Sequence, residues 1–358
     1  MIKIYLDRNE NQYGPAPGCY DALHKANLEQ LSLYSRAYAA GIKSDLSARL
    51  SAQFHIPEER VLLSYGSEDM LKQVVHCYLH QGEVILLPAH SWWYYKSVAK
   101  EVNGREILYA IRERDGRFDH DVDDILSLYS RHHPKVILIA SPNNPTGNTL
   151  PPDALLRIVQ HCTDSVIVLD EAYYGFGPEG NGDLEKLLAL HRRLLILRTF
   201  SKYYALAGLR IGYACAGEDL HQLIAFSARY LGFNQLTERI ALAALDEPDY
   251  YASIARAMRE DLQLYIRDLG RIEGFRPFPS EANFLLVRYP RQFKAPLKKG
   301  LEDRGVIVKF LDDPGLEDCI RITIGTREQN AVVREAFHAV ATGTLHLALL
   351  SPDMISAP

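Results

Sequence analysis

The sequence predicts an α/β protein: a large, mostly parallel sheet covered by helices, with a smaller α+β unit beside it. Two observations carry this reading. From about residue 60 to 216, short apolar runs alternate with stretches of helix length; after about residue 235 that alternation gives way to one long helical stretch and a few separate strands. The runs are Val61-Leu62-Leu63, Val84-Ile85-Leu86-Leu87, Val136-Ile137-Leu138-Ile139, Val166-Ile167-Val168-Leu169, Leu194-Leu195-Ile196-Leu197 and Ile211-Gly212-Tyr213-Ala214. Such continuous apolar runs read as strands buried on both faces, which helix crossovers impose on a parallel sheet. Between the first two runs, Met70, Leu71, Val74, Val75, Tyr78 and Leu79 recur at helical spacing and form one apolar face.

The second part begins with a helical stretch over roughly 236–270. Strand-like Asn283-Phe284-Leu285-Leu286-Val287, Val306-Ile307-Val308 and Cys319-Ile320-Arg321-Ile322-Thr323 follow, then a closing helix near 327–341. The last dozen residues, with Ser351-Pro352-Asp353-Met354, read as a loose tail. With 47% hydrophobic and 24% charged residues the chain has the balance of a soluble globular protein, and its length allows two or three domains. A net charge of −5 leaves no electrostatic footprint for nucleic acid or anionic lipid. The first eight residues carry charges and no apolar core of a signal peptide, and no apolar run approaches a membrane span. Five scattered cysteines, an odd number, argue against a disulfide framework or zinc cage, so a cytoplasmic protein with reduced thiols and no bound metal is expected.

Three stretches carry chemistry. In Arg198-Thr199-Phe200-Ser201-Lys202, continuing to Gly208-Leu209-Arg210, a lysine lies just past a buried strand with hydroxyls before it and an arginine eight residues on. A buried lysine sheds its proton readily and forms a Schiff base with an aldehyde, while the hydroxyls and arginine suit an anionic group on the same molecule. Ser141-Pro142-Asn143-Asn144-Pro145-Thr146-Gly147 follows one buried strand, and Asp170-Glu171-Ala172-Tyr173 ends the next. Ligands of open α/β sheets bind at strand ends. A buried acid there needs a cation, and a protonated pyridine nitrogen is one. Singly, each has a plain alternative: a surface lysine, a carboxylate capping a turn, an asparagine that forms a turn beside proline.

Taken together and in this order, these stretches resemble the signature of fold-type I pyridoxal-phosphate (PLP) enzymes, class I/II aminotransferases, most closely the histidinol-phosphate aminotransferase branch. The resemblance covers roughly residues 5–340. It implies the aspartate-aminotransferase fold, with a seven-stranded sheet in a large domain at 29–234, a small domain from 1–28 with 235–345, and a tail at 346–358. It implies that Lys202 carries PLP as an aldimine and shuttles the proton, through a pyridoxamine-phosphate intermediate, while Asp170 keeps the ring nitrogen protonated. Asn144 and Tyr173 would bind the ring phenolate, and Ser201, Arg210 and Thr199 the phosphate. Gly66-Ser67-Glu68 opens a helix, where free N–H groups favour a phosphate; Ser67 as a plain helix cap is the alternative. Trp92, in His90-Ser91-Trp92-Trp93-Tyr94-Tyr95, matches the aromatic residue stacked on the ring, a core aromatic cluster being the other reading. Tyr34 matches a tyrosine that reaches the neighbouring subunit's phosphate, which implies a homodimer with shared sites. Arg321 matches the arginine that grips the substrate's anionic group. Asn9, Tyr13 and Lys309 complete the substrate side.

Two patterns are decoys. Gly175-Phe176-Gly177-Pro178-Glu179-Gly180 spells a dinucleotide fingerprint, but its proline and the missing helix make it a turn. His76 and His80, four apart on a helix, read with Gln73 as a solvated face rather than metal ligands. Two departures bear on substrate. The match begins at Leu6-Asp7-Arg8-Asn9-Glu10-Asn11-Gln12-Tyr13-Gly14 without the usual N-terminal arm, and Lys309 replaces a second arginine, offering a point charge but no fork. The expected reaction is amino transfer from a histidinol-phosphate-like, aromatic or other, specialised amino acid to a 2-oxo acid. A decarboxylase resembling threonine-phosphate decarboxylase is the nearest rival, and a non-enzymatic ligand sensor a more distant one.

Overall fold

The computed structural model describes residues 3–177 and 184–343. Its strands, in chain order, are β1 (Ile4–Leu6), β2 (Val61–Ser64), β3 (Val84–Pro88), β4 (Arg105–Tyr109), β5 (Ile111–Arg114), β6 (Arg117–His120) and β7 (Val136–Ala140). These are followed by β8 (Val166–Asp170), β9 (Leu194–Thr199), β10 (Gly212–Ala216), β11 (Arg276–Pro277), β12 (Phe284–Arg288), β13 (Val306–Phe310) and β14 (Cys319–Thr323).

The large sheet has seven strands in the order β2-β10-β9-β8-β7-β3-β4. All neighbours in it run parallel except β10, which is antiparallel to both β9 and β2. Each of the six apolar runs in the sequence is one of these strands. Alternate residues of one strand serve opposite cores: Ile137, Ile139, Ile167 and Leu169 face one, Val136, Leu138, Val166 and Val168 the other. That is why the runs are continuous rather than alternating. The seventh strand, β4, escapes the pattern because it is an edge: Arg105 is exposed and only Tyr109 is fully buried. The hairpin β5–β6 escaped as well, although Asp115-Gly116 between its strands has the turn residues and the positive φ values that tight hairpins require.

The small sheet runs β1-β13-β14-β12-β11. Its core is built from Leu6, Phe284, Val287, Ile320 and Ile322 against Met258, Leu262 and Phe337 of the helices Pro248–Leu269 and Arg327–Ala341. The stretch read as one helix over 236–270 is two, Gln235–Leu245 and Pro248–Leu269, because Pro248 can start a helix but cannot continue one. Gln235–Leu245 and the helix Pro17–His24 contribute Ile240, Ala241, Ala244 and Cys19 to a core shared with the large sheet.

One face was misread. Gln73 is buried and its amide oxygen accepts from Ser227 Oγ at 2.6 Å, while His76 and His80 are exposed and His76 meets Glu101 at 3.1 Å. Among the described residues no cluster of potential metal ligands occurs and no helix is long and apolar enough to cross a membrane. All five cysteines are free and buried. Gly175–Gly177 lie in a turn and bend; Pro178–Gly180 and the tail at 346–358 lie outside the described residues.

Candidate active site

The site residues gather where β7, β8 and β9 end and the helix Ser67–Tyr78 begins. Asp170 is the last residue of β8 and is buried. Its carboxylate accepts from Tyr95 Oη at 2.8 Å and from the Ala172 N–H at 3.0 Å, and among the described residues no cation pairs with it. Burial pushes its carboxyl above the usual range, which the Tyr95 bond and the Ala172 N–H oppose.

Lys202 follows β9. Its Nζ donates to the Arg8 carbonyl at 2.7 Å and lies 6.0 Å from the centre of the Tyr173 ring. Burial first, then the Arg321 charge, pull the amine down to about 8; Glu10 opposes this and Arg210 adds to it. A lysine in this state is about one-tenth neutral and nucleophilic at pH 7, far more than an ordinary lysine.

Beside it is an anion cradle. Thr199 Oγ1 and Ser201 Oγ lie 3.0 Å apart, and Arg210 Nη1 reaches Ser201 Oγ at 3.4 Å. The same guanidinium meets Glu68 at 3.5 Å. The helix Ser67–Tyr78 starts at Gly66 with no side-chain cap of the kind expected of Ser67, so its first N–H groups remain available to an anion. Gly66 has φ 84°, and a Cβ there would sit 2.7 Å from Arg210 Nη2. Glycine avoids the strain of this φ and leaves the arginine where it lies against the helix start.

Tyr173 is buried, its hydroxyl accepting from Asn9 Nδ2 at 2.8 Å and its ring edge-on to Phe284 at 5.0 Å. Asn9 is itself fixed from three sides: its N–H donates to Thr323 Oγ1 at 3.0 Å, its carbonyl accepts from Asn283 Nδ2 at 3.0 Å, and its φ is 56°. The sequence suggests a substrate ligand; in the fold its amide holds the Tyr173 hydroxyl. Arg321, on β14, donates from Nη1 to Asn144 Oδ1 at 2.5 Å and from Nη2 to the Asp7 carbonyl, with Phe284 beneath its guanidinium at 5.6 Å. Its Nε is buried without a partner, and no carboxylate pairs with it among the described residues. Lys309 lies opposite Arg321 in the β13–β14 register and is exposed.

Trp92 is half-buried and edge-on to Tyr95 at 5.9 Å. Tyr95 is the residue that sequence reasoning missed. Its signal was present: a buried tyrosine in an aromatic run needs a partner for its hydroxyl. Two predicted residues are not brought together with the others. Tyr13 packs on the small-sheet core, with its carbonyl accepting from Tyr250 Oη at 3.4 Å. Tyr34 is 64% exposed.

A profile of the family "Aminotransferase class I and II" matches residues 1–337. The chain belongs to this family. It is 32% identical over 341 residues to the histidinol-phosphate aminotransferase of Ruminiclostridium cellulolyticum, covering 94% of this chain and 92% of the relative. In fold it is similar to the histidinol-phosphate aminotransferase of Sinorhizobium meliloti, solved in complex with pyridoxal-5'-phosphate: TM-score 0.84 at 23% identity, over 95% of this chain and 91% of that one. It is also similar in fold to the L-threonine-O-3-phosphate decarboxylase of Porphyromonas gingivalis: TM-score 0.78 at 22% identity, over 94% and 98%. As an aminotransferase of this family the chain uses PLP, and its residues fit that group. Asp170 is a buried carboxylate with no cation beside it among the described residues, Gly66 leaves room beside Arg210, and the helix start at Ser67 has no side-chain cap.

Proposed function

We propose that this aminotransferase takes its amino group from a histidinol-phosphate-like or aromatic amino donor and passes it to a 2-oxo acid. The observation that carries the reading is Lys202, its amine near pKa 8, set within reach of the Arg321 charge and above the Tyr173 ring. Bound PLP supplies an electron sink and a carrier for the amino group.

The chain's residues then have separable tasks. Asp170 keeps a proton on the ring nitrogen, and Tyr95 keeps Asp170 aimed. Asn144 and Tyr173 bind the phenolate oxygen. Thr199, Ser201, Arg210 and the N–H groups of Gly66, Ser67 and Glu68 hold the phosphate, and Trp92 covers one ring face. Lys202 Nζ anchors the cofactor and, once released, moves the proton at the donor's reacting carbon. Arg321 grips the substrate's anionic group in its fork, with Lys309 adding a second positive charge on the same side. The large sheet and the small sheet belong to domains at 29–234 and at 1–28 with 235–345, joined through the helices Pro17–His24 and Gln235–Leu245.

The active form in this reading is a homodimer in which Tyr34 serves the partner's phosphate. Leu31, Leu33, Tyr34, Tyr38, Tyr230 and Leu231 are all exposed, and Ser35 N–H donates to the Leu231 carbonyl at 3.1 Å, so the two segments form one apolar patch. Patches of this kind on a soluble chain mark an interface.

A panel of amino donors against 2-oxo acids tests the function. Keto product formed in step with aminated acceptor supports it, with histidinol phosphate and aromatic amino acids among the best donors. Carbon dioxide released without amination of an acceptor would overturn it.

A further inference from the structure

We infer that Glu113 is a positioning residue for Arg321, acting as a clamp that sets how the small sheet sits over the large one. The inference rests on the reading of Arg321 as the group that grips the substrate's anion.

Arg276 and Arg288 are direct register partners on β11 and β12, so two like charges share one face of the small sheet. Such a pair is unfavourable unless an acid lies between them. Glu113 supplies it from outside that sheet: Oε1 meets Arg276 Nη1 at 2.6 Å and Oε2 meets Arg288 Nη1 at 2.5 Å. Both guanidinium groups lie 5.4 Å from the Phe278 ring, and Phe118 of the β5–β6 hairpin packs on that same ring at 4.7 Å. The hairpin is rooted in the large-sheet core through Ile111 and Phe118.

From Arg288 the network continues toward the site. Arg288 Nε donates to Asp318 Oδ1 at 3.3 Å, and Asp318 immediately precedes β14, whose third residue is Arg321. Lys202 and Asn144 belong to the large sheet's strand ends, whereas Arg321 belongs to the small sheet. Glu113 thus joins the two bodies a short distance from the strand that carries Arg321. A neutral residue at 113 leaves Arg276 and Arg288 opposed and lets that strand move relative to Lys202.

Steady-state kinetics of the PLP-loaded enzyme test this. Glu113→Gln should raise KM for anionic amino donors and for 2-oxo acids about two- to fivefold, the usual reach of a partly exposed ion-pair cluster. Cofactor content should stay as in the native enzyme, and kcat/KM for a simple alkylamine, which has no anion for Arg321, should not move. Adding Arg276→Met to Glu113→Gln removes the opposed charge and should bring KM back toward the native value. Arg321→Lys separates the two readings. If it leaves KM for anionic substrates unchanged, the assignment of Arg321 is wrong, whatever Glu113 does. If it raises KM while Glu113→Gln does not, the clamp is wrong. Should Glu113→Gln fail to fold, Asp318→Asn breaks the link to β14 and must raise KM in the same sense; an unchanged KM there overturns the inference.

Discussion

Tyr95 donates its hydroxyl proton to Asp170 at 2.8 Å in a place where both side chains are buried and no charged partner reaches the carboxylate among the described residues. The acid at the end of β8 is therefore held ready by a neutral donor. Tyr95→Phe removes that donor and leaves burial acting more strongly on the carboxyl. One hydrogen bond to a charged group contributes about 1.5–3 kcal/mol. PLP affinity, read by fluorescence titration, should fall by roughly ten- to hundredfold. Asp170→Asn should cost more, chiefly in kcat, because it removes the charge itself. Native affinity and rate in Tyr95→Phe would show the bond to be incidental.

Lys202 gives a pH dependence with a definite sign. Its amine falls from the ordinary 10.5 to about 8 in the fold, so between those values the unfolded chain binds the extra proton. Stability from this group therefore rises as pH climbs from about 8 toward 10.5, and below 8 both states are protonated and the slope vanishes. The apo-protein's rate of PLP uptake should likewise rise through about pH 8, since only the neutral amine attacks an aldehyde. Borohydride reduction should leave the phosphopyridoxyl group on Lys202 in a peptide map. Label on another lysine would remove Lys202 from the centre of the site.

The anion cradle depends on a missing side chain. Gly66 combines φ 84° and ψ 165° with a Cβ position 2.7 Å from Arg210 Nη2. That backbone region belongs almost only to glycine and costs other residues about 1–3 kcal/mol. Gly66→Ala should weaken PLP binding about tenfold or more while the protein still folds. Gly208→Ala, in the turn Ala207–Leu209 that leads into Arg210, is the control, because a Cβ there meets nothing within 4 Å. Equal loss in both variants would mean that loop stiffness, not room for Arg210, sets the affinity.

What the sequence displayed and what it hid divide along physical lines. Strands buried on both faces announce themselves as unbroken apolar runs, so six of the seven large-sheet strands were readable, whereas β4, at the edge and carrying Arg105 and Glu106, forms no such run. Lys202, Asp170 and Asn144 stand out as candidates because strand ends concentrate ligands and their residue types are costly there without a purpose. Tyr95 was hidden inside an aromatic run where several rings looked alike. The bond from Asn9 to Tyr173 was not readable, because only the fold brings that amide to a residue 164 positions away in sequence. Glu113 was invisible for the same reason: its partners Arg276 and Arg288 lie far along the chain, and a lone glutamate in a hairpin has no pattern of its own.

The dimer is tested through Tyr34. The residue is 64% exposed, and it shares its patch with Leu33, Tyr38 and Tyr230. If each site borrows that hydroxyl from the other subunit, Tyr34→Phe should lower PLP retention by the value of one hydrogen bond to a charged group, about 1.5–3 kcal/mol. Complementation makes the test specific. Lys202→Ala chains lack the cofactor anchor, and Tyr34→Asp chains place a negative charge against the partner's phosphate; each homodimer should be inactive. A hybrid of the two has one site with its own Lys202 and the partner's native Tyr34. Mixing the chains under exchange conditions should therefore restore up to about half of the native activity per hybrid, one of two sites being whole. Hybrids that form and stay inactive would place Tyr34 with its own subunit's site, and a monomer active at all concentrations would remove the shared site altogether.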